Sequence, residues 1–177
     1  MLDKKLSIIF NLLRKLTISG SNVHLACGKK AGQFLYHQQP FDVINNAINV
    51  SQYSNITANI SDTKKAFNLP TNKQLVAHVG RFSTVKNHQF IVELAKDKAL
   101  KEDIHFVLIG EGPLKSHIAR QISEYQLHDK ITLLPATDRI ADLLPCMTGF
   151  IMPSLFEGVS VALLEAQAAS LSCLISN

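Results

Sequence analysis

HFVLIGEGP, residues 105–113, is an apolar run that stops at a glycine and passes through Pro113 into helix-compatible sequence. A strand with one wet face alternates polar and apolar side chains. Residues 106–109 do not alternate, so both of their faces must be covered, as in a parallel sheet. Outward from this run the same pattern recurs. Upstream, QLVAHV (74–79) precedes helical spacing over 87–98. Downstream come helical spacing over 114–125, KITLL (130–134), a short helical stretch over 139–144, GFIMP (149–153), a helix over 161–170 and CLIS (173–176). Strands that alternate with helices in this way predict an α/β fold with a Rossmann-like doubly wound parallel sheet.

In such sheets ligands bind outside the carboxyl ends of the strands, so the loops there carry the candidate chemistry. PSLFEGVSVALLEAQAA (153–169) places Glu157 and Glu165 eight positions apart around a loop-to-helix junction. Gly158 allows backbone to approach a ligand. The helix start offers free N–H groups and a positive dipole end, so Gly158, Val159, Ser160 and Val161 suit an anionic diphosphate. Glu157 can then accept from sugar hydroxyls, and Glu165 can accept twice from a ribose diol. The plainer reading is an amphipathic helix with a solvated Glu165 and a Glu157 that merely sits in a polar loop.

HVGRFSTVKN (78–87) ends a strand at Gly80 and carries Arg81 and Lys86 into the next loop. Two cations five positions apart can converge on a diphosphate and stabilise the charge of a departing nucleoside diphosphate; solvation is the alternative. Gly110 and Gly112 flank Glu111, with Pro113 placed to open a helix. The third glycine of a dinucleotide fingerprint is lacking, which disfavours NAD; a tight strand-to-helix turn is the simpler account.

Together PSLFEGVSVALLEAQA, GRF with KN, and GEGP resemble the motifs of the GT-B retaining glycosyltransferases of family 4. The likeness runs from about residue 25 to the end and is densest in the last hundred residues. It implies that Glu157 contacts the donor sugar and Glu165 the nucleotide ribose. It further implies that Arg81 and Lys86 contact the phosphates, and that Gly80, Gly110, Glu111 and Gly112 shape the nucleotide pocket. Glu157, Arg81 and Lys86 are then the catalytic candidates. Three departures stand out: Ser170 to Ser172 replace a family Gly-x-Pro, Ala136 replaces a glycine near the base, and Asn46–Ala47 replaces Asn-Gly.

The resemblance also implies domain organisation. Residues 1–50 would be the end of an acceptor domain plus linker, and 51–177 the nucleotide-sugar donor-binding domain without its last strand and closing helices. It predicts a UDP- or GDP-sugar donor, transfer with retention to a polysaccharide or lipid-linked acceptor, and no cofactor or metal. A chain lacking those parts would be weakly active or inactive alone. It could instead be a non-catalytic donor subunit or a truncated remnant that needs a partner chain. An uncovered sheet edge predicts association, as a homo-oligomer or with a second polypeptide.

Bulk properties narrow the classes. The 177 residues are 46% hydrophobic, enough for a substantial core, and their net charge is +4. Dispersed basic residues suit an anionic ligand or a membrane face, and nucleic acid is not expected. Three separated cysteines suggest neither a disulfide framework nor a metal site, and a cytoplasmic setting follows. In residues 2–17, Leu6, Ile9, Phe10, Leu13 and Leu16 follow helical spacing. They predict an amphipathic helix that packs on a core or, alternatively, rests on an anionic membrane at its inner face. Residues 45–60, rich in Asn and Ser, predict an irregular linker.

Overall fold

A computed structural model describes residues 4–54 and 59–176. The chain divides into two compact units, Met1–Asn46 and Ala47–Asn177.

The first unit holds α1 (Lys4–Ser19), β1 (Leu25–Ala26), α2 (Lys29–Tyr36) and β2 (Asp42–Val43), with β1 and β2 parallel. Tyr36 Oη donates to the Leu25 carbonyl at 2.9 Å. The spacing in α1 predicted packing on a core, with an anionic membrane as the alternative; the structure goes against the first, since Ile9, Leu13 and Leu16 are 54%, 58% and 61% exposed. Two strands of two residues each present too small a face to bury them. The side chains of Leu6 and Phe10 lie outside the described residues.

The second unit is built on β3 (Gln74–Val79), β4 (Ile104–Ile109), β5 (Ile131–Leu134), β6 (Gly149–Met152) and β7 (Ser172–Ile175). All its pairs are parallel, and the order across the sheet is β5-β4-β3-β6-β7. Alternate residues of the strands face opposite layers, which is why runs such as 106–109 and 150–152 carry no polar positions. Ala77, Val107, Ile109 and Phe150 enter one core with α3 (Ser51–Ser54), α4 (Ile60–Ala66), α7 (Ile140–Leu143) and α8 (Val161–Ala168) beside it. Phe106, Leu108 and Ile151 enter the other, closed by α5 (His88–Lys96) and α6 (Lys115–Glu124). Burying side chains such as Phe150 and Leu108 contributes about 1.5–3 kcal/mol each.

The order decides where a ligand can sit. The chain steps outward from β3 to β4 and β5, then returns to the other side of β3 with β6. The crevice at the carboxyl ends of β3 and β6 is therefore the topological switch point.

Two short helices begin within the predicted linker. Asn49 Oδ1 accepts from Ser51 N at 3.2 Å and opens α3, and Asn59 Oδ1 accepts from Ser61 N at 3.1 Å and caps α4. Polar composition hid both short helices, because side-chain caps rather than apolar periodicity start them.

Candidate functional site

The rim of the second unit is made by the loops leaving β3, β4, β5 and β6. Gly80 follows β3 and its N–H donates to Ile109 O at 3.0 Å. Phe82 then locks the loop, its N–H donating to Glu111 O at 2.9 Å and its carbonyl accepting from Leu114 N at 3.0 Å. The two loops lie so close that a Cβ on Gly110 would sit 2.1 Å from Gly80 O, and one on Gly112 2.5 Å from Phe82 O. Both glycines have φ of 152°. The GxG pattern thus builds a tight double loop.

Arg81 is exposed on this double loop and borders a cavity of about 340 Å³ with Gly80, Gly110, Glu111, Ala136 and Thr137. Among the described residues its guanidinium makes no hydrogen bond or ion pair. Glu111, at the same cavity, pairs with Lys115 Nζ at 2.7 Å. Ala136, noted as the replacement of a glycine, does line this cavity.

Across the switch point the loop leaving β3 meets the loop leaving β6. Lys86 Nζ forms an ion pair with Glu157 Oε1, their side chains 21% and 23% exposed. Ser154 Oγ also donates to Glu157 Oε1, at 3.3 Å. Two further bonds tie the loops. Asn87 Nδ2 donates to Pro153 O at 3.1 Å, and Leu155 N donates to Val85 O at 2.8 Å. Asn87 takes a left-handed φ of 54°, which its residue type tolerates.

Under Lys86 lies a shelf of buried rings. His88 stacks on Phe82 with centroids 3.9 Å apart and meets His78 edge-on at 4.6 Å. His78 Nδ1 donates to Ile151 O at 2.8 Å; among the described residues its buried Nε2 has no partner, and neither has either His88 nitrogen. Burial pushes His78 down to about 4, with Lys86 adding to the effect, and pushes His88 down to about 3, with His78 and Lys86 adding. Both rings are neutral, so the cationic face of the site is left to Arg81 and Lys86.

Helix α8 begins at Val161, with Ser160 at its N-cap making no side-chain capping bond. The loop before it is open: Phe156 is 78% exposed, and a Cβ on Gly158 would meet nothing within 4 Å. Gly158 has no intramolecular requirement for glycine. Val159 and Val161 are exposed beside it.

Glu165 stands apart from the Lys86–Glu157 pair. Its Oε1 accepts from Tyr53 Oη at 2.7 Å. Burial first, then Glu165, pushes the Tyr53 hydroxyl up to about 12. The structure thus joins Lys86 to Glu157, places Arg81, Gly80, Gly110 and Glu111 on one cavity, packs Gly112 behind them, and gives Glu165 a separate partner. Tyr53, Asn87 and Ser154 were missed from sequence. Tyr53 lay in the presumed linker, on a one-turn helix that carries no periodic signal.

Two replacements noted in the sequence resolve differently. Ser170 adopts φ of 59°, and Ser170 N and Leu171 N donate to Gln167 O and Ala166 O. That is a Schellman ending, so the turn keeps the left-handed form without glycine. Ala47 has no positive φ, so alanine fits its backbone without strain.

Among the described residues no group of His, Cys, Asp and Glu could hold a metal ion, and no helix is long and apolar enough to cross a membrane.

Comparison with known proteins bears on this rim. The family model of glycosyl transferases group 1 matches residues 59–177. EpsF of Bacillus subtilis (strain 168) is 32% identical over 174 residues, covering 94% of this chain and 45% of EpsF. The UDP-Gal:alpha-D-GlcNAc-diphosphoundecaprenol alpha-1,3-galactosyltransferase of Escherichia coli is 31% identical over 140 residues, covering 76% of this chain and 36% of the relative. Among solved structures, Anabaena Alr3699/HepE in complex with UDP and glucose superposes with a TM-score of 0.75 at 17% identity, over 92% of this chain and 46% of that one. The chain spans less than half the length of these proteins.

Proposed function

Because the chain belongs to the group 1 glycosyl transferases, we propose that the crevice between the ends of β3 and β6 binds the diphosphate and sugar of a nucleoside diphosphate sugar. The observation that carries the reading is the Lys86–Glu157 pair, formed across the switch point from two loops 71 residues apart in sequence. Arg81, unpartnered at the adjoining cavity, supplies the second cation. The exposed N-terminus of α8, from Gly158 to Val161, adds backbone donors.

In this reading Lys86 leaves Glu157 for a phosphate oxygen when donor binds, and the released carboxylate accepts from sugar hydroxyls. Arg81, Lys86 and the helix terminus stabilise the charge that grows on the departing diphosphate. The bond from the sugar C1 to the β-phosphate oxygen breaks, and a bond from C1 to the acceptor oxygen forms on the same face. The acceptor proton passes to the leaving diphosphate, and because attack and departure share one face of C1, configuration is retained. Glu165 holds the ribose, and the β4 and β5 loops flank the base, with Gly80, Gly110, Glu111 and Gly112 setting the pocket wall. No metal or cofactor is needed, since the two cations and the helix start supply the positive charge.

UDP is the first nucleotide to test and GDP the second, as HepE is crystallised with UDP and the Escherichia coli relative uses UDP-Gal. A lipid-linked or polysaccharide acceptor at the inner face of the membrane follows the diphosphoundecaprenol named for that relative. The organisation we propose is an acceptor-side segment through residue 50 and a donor-binding domain from 51. A homo-oligomer or partner chain could supply acceptor groups.

Titration calorimetry of the 177-residue chain with UDP and GDP tests the reading. One of them should bind, and Lys86→Ala should weaken it by about 10- to 100-fold, the loss of one charge-assisted bond. A folded chain that binds neither nucleotide removes the proposal.

A further inference from the structure

Tyr53 sits on α3, a single turn in sequence that reads as a linker, yet it is 8% exposed and its ring belongs to the core under α8. Its backbone is held from the N-terminal side. Tyr53 N donates to Val50 O at 3.0 Å, and Asn49 Oδ1 accepts from Ser51 Oγ at 2.7 Å to fix the turn. A buried ring on a fastened turn points its hydroxyl in one direction, and that direction is Glu165 Oε1 at 2.7 Å.

A glutamate on an exposed helix face samples several rotamers, and ordering it on ligand binding costs about 0.5–1.5 kcal/mol. Here the order exists before any ligand arrives. The hydroxyl takes one of about four acceptor sites on the carboxylate. Among the described residues Oε2 makes no hydrogen bond. What remains is a fixed acceptor with capacity for two donors, the pattern that a vicinal diol presents.

We propose that Tyr53 is a positioning residue for the donor nucleotide, orienting the Glu165 carboxylate so that its remaining acceptor sites meet the 2′- and 3′-hydroxyls of the ribose. This rests on the donor-binding reading above and extends it to a residue outside the glutamate-bearing motif. Tyr53 touches neither ligand nor reacting atoms and acts through Glu165 alone. Because burial and Glu165 both hold its proton on, the hydroxyl donates throughout the neutral range.

The competing account is that Tyr53 only fills the core. Calorimetry of the full chain with UDP and with 2′,3′-dideoxy-UDP separates the two, using wild type, Tyr53→Phe, Glu165→Gln and the double variant. Thermal unfolding of each checks the fold. Phenylalanine keeps the ring and its packing. Tyr53→Phe should weaken UDP about tenfold and leave dideoxy-UDP nearly unchanged, and it should add little in the Glu165→Gln background. An equal loss for both nucleotides, or no loss for either, overturns the role of Tyr53 while leaving donor binding in place. Unchanged UDP binding by Glu165→Gln overturns it too, by removing the ribose contact. A folded wild type that binds no UDP or GDP takes down both the proposal and the reading beneath it.

Discussion

The double loop after β3 and β4 and the single loop after β6 end strands on the same rim but are stabilised in opposite ways. In the first, backbone bonds of Phe82 with Glu111 and Leu114 interlock two loops at a spacing that excludes even a Cβ at 110 or 112. In the second, Leu155 and Phe156 are exposed, a Cβ on Gly158 would enter open space, and the ion pair of Glu157 with Lys86 is one of a few tethers. The first wall is fixed by its own backbone, while the second is left largely open to solvent.

Matched glycine substitutions break this contrast most directly. At Gly112 a methyl would overlap the Phe82 backbone at a φ of 152°, so Gly112→Ala should cost about 4 kcal/mol or more. Gly158→Ala should change stability by less than about 0.5 kcal/mol, because its Cβ enters open space. Urea unfolding of both variants gives the comparison, and similar losses would end the distinction between the walls.

The histidine shelf beneath Lys86 predicts how acid acts on the fixed wall. Both rings have folded values below their ordinary one of 6.5, so between the two values the unfolded chain binds more protons. Stability is therefore full above about pH 6.5 and is lost as pH falls towards about 4. For His78 the shift corresponds to a loss on the order of 3 kcal/mol. Lys86 is the charged group facing both rings, with Glu157 opposing it at His78. His88→Leu should flatten the acid limb of a melting-temperature profile from pH 7 to 4.5. An unchanged limb would place the acid sensitivity elsewhere.

Breaking the tether of the open loop should cost little in folding. Glu157→Gln removes an ion pair that is partly solvated, an interaction with a typical value of about 0–1 kcal/mol. Its unfolding midpoint should stay near wild type, and a loss near that of Gly112→Ala would show that the pair is structural.

The sheet was legible in the sequence because its apolar runs, 106–109 and 150–152, have no polar side and so allow only a covered parallel arrangement. Arg81, Lys86 and Glu157 were legible as charges in loops that follow strands, and Glu165 as a charge one turn into the next helix. The strand order was not, and with it the meeting of Lys86 and Glu157, since it is settled by which runs pair and not by any residue in either loop. Tyr53 was hidden because a one-turn helix has no period to detect. The buried histidines were hidden because a lone His in an apolar run looks the same whether its nitrogens are bonded or orphaned. The exposure of α1 ran against its spacing, since periodicity reports an apolar face but not what is available to cover it.

The same contrast runs along α8, whose N-terminus opens on the exposed loop and whose C-terminus is closed by the Schellman turn at Ser170. A serine at φ of 59° carries a left-handed penalty of about 1–2 kcal/mol, because its Cβ crowds the following carbonyl. Glycine would remove that penalty but lose more backbone entropy on folding, which offsets roughly half of it. Ser170→Gly should therefore raise stability by about 0.5–1 kcal/mol, visible as a small increase in melting temperature. UDP affinity should not change, because the turn lies at the end of α8 away from the N-terminus proposed to face the diphosphate. A gain in stability accompanied by altered affinity would mean that the C-terminal turn sets the position of Glu165, and the two ends of the helix could no longer be treated as independent.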